Sequence, residues 1–358
     1  MEPMVLNDKF ELISIVDAYE SFIWTDRYND CGDFEMYFPM NISLIDIFKE
    51  TNYLWLEESE HTMMIENVTI DSDTEDGSHL IVTGRSLESM LERRIIWKHK
   101  VFSGNLQDAI KTMLEENIIN PSDDNRKIDN FIFVPSTDTR ITSLKIEDQY
   151  LGQDLYSIIQ KLCSDNKIGF KIVLNEKNQF EFSLYVGKDR SYEQNTNPYV
   201  IFSPEMDNII NSNYYSSVEN YKNVVLVGGE GQGADKKTIV VGNAKGLNRR
   251  EMFTESRVVS SNGSGGTLSQ AEIEKQMKEY GLKTLKDFDK VTAFEGEVET
   301  NRPFLYGVDF FIGDTVQLVN EYGIEGAAYI SELVISENET GKYIYPTFKM
   351  HSEKGDDI

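Results

Sequence analysis

The chain has 358 residues, of which 61 are acidic and 35 basic, so its formal charge is −26 at neutral pH. Reading duplex nucleic acid requires a basic face that neutralises phosphates, and acidic chains are repelled by anionic lipid head groups, so this charge argues against both classes. Hydrophobic residues make up 40% of the chain and aromatic residues 11%, which argues against a disordered acidic chain and predicts about two to four folded domains.

Local features exclude further classes. No apolar run reaches the length of about 18 residues that spans a membrane, and residues 1–10 lack the basic start and apolar stretch of a secretory signal. The two cysteines, Cys31 and Cys163, cannot build a disulfide framework or a zinc site alone, and we expect them to be reduced in a cytoplasm. The four histidines are scattered without ligand spacing, so we expect no metal and no cofactor.

Residues 1–95 have the pattern of a meander of short strands. The predicted strands are 10–15, 19–28, 31–40, 53–58 and the arms Thr62–Ile70 and His79–Gly84 of a long hairpin. We interpret the alternating aromatic residues of 22–38 as core packing. Such a series of strands is typical of a small barrel or sandwich.

Residues 96–204 change to an α+β pattern. Apolar residues at helical spacing predict one helix over 105–118, with Asn105 as its N-cap, and another over 153–166. A polar loop at 120–130 separates them, and alternating patterns predict strands at 169–176 and 178–187.

Strands return after residue 205 and are interrupted by a helix. The arms Asn223–Val227 and Lys237–Val241 flank a glycine-rich loop. A Gly/Ser linker at 260–266 precedes the capping-box sequence Ser269–Glu272, which predicts a helix ending near Asp287. Strands are predicted at 291–299, 314–319 and 328–336, and the polar tail 351–358 is predicted to be disordered.

The glycine-rich loop GGEGQG (228–233) follows a predicted strand, as a dinucleotide-binding fingerprint does. That fingerprint needs a helix next, whose N-terminus holds the pyrophosphate, whereas KKTIVV is a strand pattern and the glycine spacing differs. We therefore predict a hairpin loop, shaped by Gly228, Gly229, Gly231 and Gly233.

The acidic loop DSDTEDG (71–77) is similar to a calcium loop. In an EF-hand the glycine is at position six and a glutamate at position twelve, but here those positions hold Asp76 and Val82. We interpret the segment as a solvated hairpin tip.

Catalytic patterns are absent from the sequence: there is no Gly-x-Ser-x-Gly, His-Glu-x-x-His or Cys–His arrangement, so we predict a protein that is not an enzyme. The main basic cluster comprises Arg93, Arg94 and 98–100, with Trp97 among them. It has the composition to contact nucleic acid, but we favour a strand at a subunit interface with acidic partners.

Four segments carry a resemblance to a known family. They are VDAYESFIWTDRYNDCGDFEMYFP (16–39), NVVLVGGEGQG (223–233), GLNRREMFTESR (246–257) and FLYGVDFFIGDTVQLVN (304–320). Together with the element order, they make nearly the whole chain resemble the siphophage Gp37-like proteins, a family of tail-tip, or baseplate, hub proteins. In the last segment Gly313 and Asp314 form the predicted turn into a strand, where Gly allows positive φ and Asp accepts backbone N–H bonds.

The resemblance implies a mainly β, α+β fold like that of a baseplate hub, with two small β-barrel-like domains. The expected division is 1–95 for the first barrel, 96–204 for an α+β insert, 205–245 with 295–350 for the second barrel, and 246–294 for a linker and helical insert. It also implies a homotrimer whose barrels form a ring matching the hexameric tail tube, with the inserts outside. Some longer relatives carry an appended enzyme, which we do not expect in a chain that ends near residue 358.

The implied location is the virion tail tip, after assembly in the bacterial host cytoplasm. The implied partners are the distal tail or tail tube protein, the tape-measure protein, and a spike, fibre or receptor-binding protein. An acidic wall would let DNA pass through the channel without specific binding. Two alternatives remain: a phage cell-wall-degrading enzyme, glycosidase or peptidase, using an acidic pair, and a module that binds host cell-wall carbohydrate.

Overall fold

The computed structural model describes residues 1–73, 77–256, 261–262, 266–267, 269–298 and 303–350. The fold is α+β and mainly β, as the sequence predicts. The chain forms two compact units, the first made of residues 1–212 and 295–349 and the second built around residues 213–294. In the described part of the chain, no helix is long and apolar enough to cross a membrane.

The elements follow in chain order. The first part contains β1 (Met4–Leu6), β2 (Leu12–Ile15), β3 (Ser21–Arg27), β4 (Asp33–Pro39), α1 (Ile42–Ile47), β5 (Tyr53–Trp55), β6 (Thr62–Asp73) and β7 (Gly77–Ser86). The insert contains β8 (Lys100–Asn105), α2 (Leu106–Leu114), β9 (Phe131–Val134), α3 (Thr139–Thr142), β10 (Lys145–Tyr150), α4 (Leu155–Asp165), β11 (Gly169–Leu174) and β12 (Phe180–Tyr185). The remainder contains β13 (Ile201–Phe202), β14 (Ile209–Ser217), β15 (Val224–Gly228), β16 (Thr238–Val241), β17 (Glu251–Glu255), β18 (Ser261–Asn262), β19 (Gly266–Thr267), α5 (Gln270–Lys286), β20 (Val291–Val298), β21 (Thr315–Val319), β22 (Glu325–Asn338) and β23 (Gly341–Met350).

One large sheet organises the first unit. Its strands run in the order β23-β22-β3-β4-β7-β6-β5-β1-β2, and β21 pairs with both β22 and β13. Alternate residues of β3 and β4 face the core, where Phe22 lies opposite Met36 and Trp24 opposite Phe34, all fully or almost fully buried. The prediction that the aromatic alternation of 22–38 is core packing is therefore confirmed.

The insert of the first unit packs its two longer helices against short sheets. Helix α2 begins where the Asn105 side chain accepts the Asp108 backbone N–H, so the predicted N-cap is confirmed. A π-helical turn, Glu115–Ile119, continues this helix. β8 pairs with β10, and the remaining strands form a sheet in the order β11-β12-β9. The apolar faces of α2 and α4 and these strands share one buried core.

The second unit contains a three-stranded sheet in the order β16-β15-β17 with α5 packed on one face. The capping box of Ser269 and Glu272 starts α5, as predicted. A Cβ added at Gly281 would lie 2.8 Å from a methyl group of Val227, so this glycine lets the helix approach the sheet closely. The residues that pack across this contact are Val225, Val227, Val241, Ile273, Met277 and Leu285.

The structure places the glycine-rich hairpin differently from the grouping we expected. We grouped its arms with residues 295–350, but they pair with each other and with β17 in the sheet of the second unit. The polar alternation of 251–255 gave no strand prediction, so the partner of β15 was missed. Residues 260 and 263–265 of the predicted linker and the predicted disordered tail 351–358 lie outside the described residues.

Candidate functional site

A buried ion pair fastens the insert to the main sheet at the predicted turn. The Nε of Arg190 donates to Oδ2 of Asp314 at 2.7 Å, and the two side chains are only 7% and 3% exposed. The backbone N–H of Lys188 donates to Oδ1 of Asp314 at 2.6 Å, and that of Phe311 to Oδ2 at 3.2 Å. Three donors therefore surround one buried carboxylate, which is the arrangement that a buried ion pair needs to be stable.

Backbone bonds reinforce this junction, which we call the Asp314 clamp. The N–H of Thr315 donates to the carbonyl of Lys188 at 2.9 Å, and the N–H of Arg190 donates to the carbonyl of Thr315 at 2.7 Å. The segment that leaves β12 thus runs alongside the start of β21. The clamp fixes where the insert leaves the main sheet.

Gly313 makes the close approach possible. Its φ is +85°, a backbone conformation that residues other than Gly rarely adopt. A Cβ at this position would lie 2.3 Å from the Tyr28 ring. A Cβ at Gly187 would lie 2.0 Å from the carbonyl oxygen of Gly313. The two glycines allow two backbone segments to touch, and Asp314 bonds across them.

A cleft of about 430 Å³ opens beside the clamp. Its walls are mainly acidic, with two lysines and three aromatic residues. The charged and aromatic lining residues are Asp26, Glu57, Glu58, Glu60, Asp314, Lys171, Lys188, Tyr185, Tyr306 and Phe311, together with His61. Lys171 forms an ion pair with Glu60, and its Nζ lies 5.1 Å from the centroid of the Tyr185 ring.

Two hydrogen-bonded pairs are buried at the wall of this cleft. The first centres on Asp26, which accepts from Nε1 of Trp24 at 2.9 Å and from the hydroxyl of Ser59 at 2.8 Å. In the second, Nδ1 of His61 lies 3.1 Å from Oε1 of Glu88. The backbone N–H of His61 also donates to Oγ of Ser59 at 3.1 Å, and this hydrogen bond joins the two pairs.

Burial and charge act in opposite directions on His61. Burial alone disfavours the charged imidazole, but the carboxylates of Glu88 and Asp26 outweigh it and raise the pKa of His61 to about 9. Burial raises the pKa of Asp26. For Glu88, burial opposes ionisation, but the His61 charge and hydrogen bond prevail and lower its pKa. At neutral pH His61 and Glu88 therefore form a buried ion pair.

This geometry indicates that the buried network connects parts of the fold and is not arranged for nucleophilic chemistry. The Ser59 hydroxyl donates to Asp26, and the Nδ1 of His61 faces Glu88, so Ser59 and His61 are not arranged as nucleophile and base. Among the described residues, no group of three or more His, Cys, Asp or Glu side chains is placed to hold a metal ion. The network links β3, the 59–61 loop and the 3-10 turn Leu87–Arg93.

The glycine-rich loop joins β15 to β16 as a hairpin, as predicted. The N–H of Gly229 donates to the carbonyl of Lys237 at 2.8 Å. Gly231 and Gly233 have φ of +110° and +57°, and only a short 3-10 turn, Gly233–Asp235, precedes β16. A phosphate loop would need a helix there.

The basic cluster is not a strand, contrary to our prediction. The segment Leu87–Arg93 is a 3-10 turn, and regular pairing resumes only at Lys100. Between these two elements the chain makes only an isolated bridge, in which the N–H of Ile96 donates to the carbonyl of Gln153 at 2.9 Å. The basic side chains also contact the insert: Nε of Arg94 donates to the carbonyl of Arg126 at 2.6 Å. The guanidinium of Arg126 in turn stacks 4.2 Å from the centroid of the exposed Trp97 ring. An interface role for Arg93, Arg94 and Trp97 remains a prediction.

The acidic loop at 71–77 joins β6 to β7, whose pairing continues to Asp73 and Gly77, as expected of a hairpin tip. Residues 74–76 lie outside the described residues.

Sequence reasoning missed Arg190, His61 and Glu88. The partners of the Asp314 clamp are 124 residues apart, and no local pattern announces such a pairing. Glu88 did leave one signal, because it is a lone charge within the apolar run LESML.

Comparisons with known proteins add family and fold. A family model described as "Siphovirus ReqiPepy6 Gp37-like protein" matches residues 2–348. None of the curated proteins matches the sequence.

Three solved structures are similar over almost the entire chain. Prophage tail protein gp18 of Listeria monocytogenes is 10% identical with a TM-score of 0.56, covering 99% of this chain and 96% of its own. The tail protein of Neisseria meningitidis is 13% identical with a TM-score of 0.58, covering 99% and 97%. The 43 kDa tail protein of prophage MuSo2 from Shewanella oneidensis is 12% identical with a TM-score of 0.58, covering 98% of each chain. At these identities the likeness concerns the fold.

Proposed function

The chain belongs to the family of Siphovirus ReqiPepy6 Gp37-like proteins and is a structural component of a phage tail, and we propose that it is the hub of the tail tip. In this proposal three copies form a ring that joins the tail tube to the tip and lines or closes the channel through which DNA leaves. The observation that carries it is the family match over residues 2–348.

The net charge of the chain supports the proposed DNA channel. Three copies would carry about −78, and an acidic wall repels phosphate, so DNA would slide past without being held. The proposed partners are the tail tube or distal tail protein above the ring, the tape-measure protein, and a spike, fibre or receptor-binding protein below it. We place the ring at the virion tail tip, assembled in the host cytoplasm.

The buried networks support a role that depends on rigidity. Both the Asp314 clamp and the pair of His61 and Glu88 connect segments far apart in sequence without leaving a nucleophile or metal site in their geometry. We propose that the first barrel-like domain and the 295–350 part of the second are built on the large sheet, and that the clamp holds the insert against it.

The test is the mass and position of the protein in assembled tails. Purified protein, alone and mixed with its distal tail protein, should show a trimer by native mass spectrometry and a threefold ring at the tip by cryo-electron microscopy. A protein that stays monomeric with its tail partner, or a density for it outside the tip, would overturn the proposal.

A further inference from the structure

We propose that the cleft beside the Asp314 clamp binds a short neutral carbohydrate. This goes beyond the proposed hub, because it gives each copy of the chain a ligand whether or not three copies form a ring. The cleft lies entirely within the first unit. Its volume of about 430 Å³ falls in the range of roughly 300–1,000 Å³ that is typical of small-molecule sites.

Tyr185 lines the cleft with a hydroxyl group that has no protein partner. The hydroxyl oxygen is buried and forms no hydrogen bond with any residue that the structure describes. Buried polar groups in folded proteins are nearly always hydrogen-bonded, so this hydroxyl is available to a ligand oxygen. A hydroxyl both donates and accepts, and a hydroxyl of a ligand would therefore satisfy it in either direction.

His61 offers a second polar group that the fold leaves without a partner. Its side chain lines the cleft and is only 4% exposed. Nδ1 faces Glu88, whereas Nε2 forms no hydrogen bond within the described part of the chain. Because His61 is protonated at neutral pH, Nε2 presents an N–H donor at the wall of the cleft.

Carboxylates supply hydrogen-bond acceptors beside these donors. Asp26 lines the cleft, is 1% exposed and accepts from Trp24 and Ser59. An ionised carboxylate has about four acceptor positions, so Asp26 can accept a further hydrogen bond. Glu57 adds an exposed carboxylate to the lining, and Lys188 adds an ammonium group. Donors and acceptors that alternate in this way suit hydroxyl groups, since each hydroxyl is both.

The charges at the cleft favour a neutral ligand. Among the described residues, the lining side chains and the charged groups bonded to them comprise six carboxylates and five cationic groups. The bonded partners in this count are Glu88, Arg190 and Lys342. A cationic ligand would be repelled by His61 and Lys188, and an anionic ligand by Asp26 and Glu57, so neither sign is favoured.

The apolar part of the lining suits a sugar ring. Phe311, which is 38% exposed, and Tyr306 place aromatic surface in the cleft, and the C–H faces of a sugar ring pack on such surface. A peptide is the other neutral ligand that carries both donors and acceptors. Peptides are typically held by backbone pairing with a strand edge or by an apolar groove, whereas the polar groups of this cleft are side chains.

Saturation-transfer difference NMR on the full chain provides the test. The probes are glucose, N-acetylglucosamine, lactose and the disaccharide of N-acetylglucosamine, each at about 10 mM, which fills most of a site with a Kd of about 1 mM. We expect at least one of these sugars to bind. A neutral peptide (acetyl-trialanine amide), a cation (n-butylamine) and inorganic phosphate should not displace it at the same concentration.

Two variants place the bound sugar in the cleft. Tyr185→Phe removes only the hydroxyl without a partner, so it should weaken binding about fivefold and leave the urea midpoint unchanged. Phe311→Ala removes aromatic surface and should weaken binding by at least about fivefold. Phe253→Ala is the matched control, because Phe253 is also exposed but does not line the cleft, and it should bind like wild type.

A wild type that binds none of the four sugars would overturn this inference. Sugar binding that neither Tyr185→Phe nor Phe311→Ala weakens would place the sugar elsewhere and overturn it as well. Displacement by the peptide, the amine or phosphate would assign the cleft to another class of ligand. A lower urea midpoint for Tyr185→Phe would show that its hydroxyl is bonded within the fold, which removes the basis of the inference. None of these results bears on the proposed hub, which depends on the mass and position of the protein in tails.

Discussion

Replacing Asp314 by alanine should strongly destabilise the first unit. The change leaves the guanidinium of Arg190 buried without its partner and removes the acceptor of the Lys188 and Phe311 N–H groups. Removing one member of a buried ion pair typically costs about 3–5 kcal/mol, because the remaining charge cannot regain its hydration. We expect a loss in this range.

Urea denaturation, monitored by tryptophan fluorescence, measures this loss of stability in the first unit, which contains Asp314. All three tryptophans, Trp24, Trp55 and Trp97, belong to the first unit, so the signal reports the part of the chain that contains Asp314. With a slope of about 3 kcal/mol per molar urea for a unit of this size, the midpoint should fall by about 1–1.7 M.

Two further variants make the reasoning refutable. Asp129→Ala removes a partner of the exposed ion pair with Lys127 and should change stability by less than about 1 kcal/mol. Adding Arg190→Met to Asp314→Ala removes the stranded charge and should restore part of the loss. If Asp314→Ala costs no more than Asp129→Ala, the clamp does not stabilise the fold and the argument is wrong.

Three other predictions follow from the same structure. Gly313 and Gly323 both have positive φ, but only at Gly313 does an added Cβ meet another residue, so alanine should cost about 1 kcal/mol at Gly323 and about 2–4 kcal/mol at Gly313 in the same urea assay. The charge of His61 stabilises the fold fully below pH 6.5, its ordinary pKa, and this contribution should disappear as pH rises through about 9. Between pH 6.5 and pH 9, the free energy of unfolding of wild type should fall by about 3 kcal/mol more than that of His61→Gln. An equal fall in both would contradict the buried ion pair. Because each copy carries −26, added salt should screen the repulsion between copies and strengthen the proposed trimer in sedimentation experiments, whereas weakening would indicate that attraction between charges dominates the junctions.

Strong local patterns predicted the elements that the structure shows best. The alternation of 22–38 predicted β3 and β4, and the capping box predicted the start of α5. In both cases the residues that decide the element are neighbours in sequence. The strands β8, β9 and β10 were missed, because they are short, partly exposed and mixed in polarity, so their pairing depends on partners elsewhere in the chain.

In the candidate site, too, features decided by sequence neighbours were predicted and features that depend on distant contacts were missed. The turn residues Gly313 and Asp314 were found from the sequence because a Gly-Asp pair before a strand has a local meaning. Arg190 was not found, because its role depends on a contact across 124 residues. The prediction of a strand over the basic residues 93–100 was wrong. Their β-branched and aromatic neighbours favour an extended chain, but the structure has a 3-10 turn up to Arg93 and then only an isolated bridge between Ile95 and Asp154.

The net charge poses a problem that the distribution of charge resolves. Three copies that each carry −26 repel one another, so a stable ring needs junctions where the local charge is balanced. At physiological salt, charges more than about 8 Å apart are largely screened, so only the residues close to a junction decide its electrostatics. The acidic excess is unevenly distributed along the chain, because residues 213–294 carry a formal charge of +2 and the remaining residues carry −28. If the acidic residues of the proposed ring face its channel, they would repel DNA there without lying at the junctions between subunits.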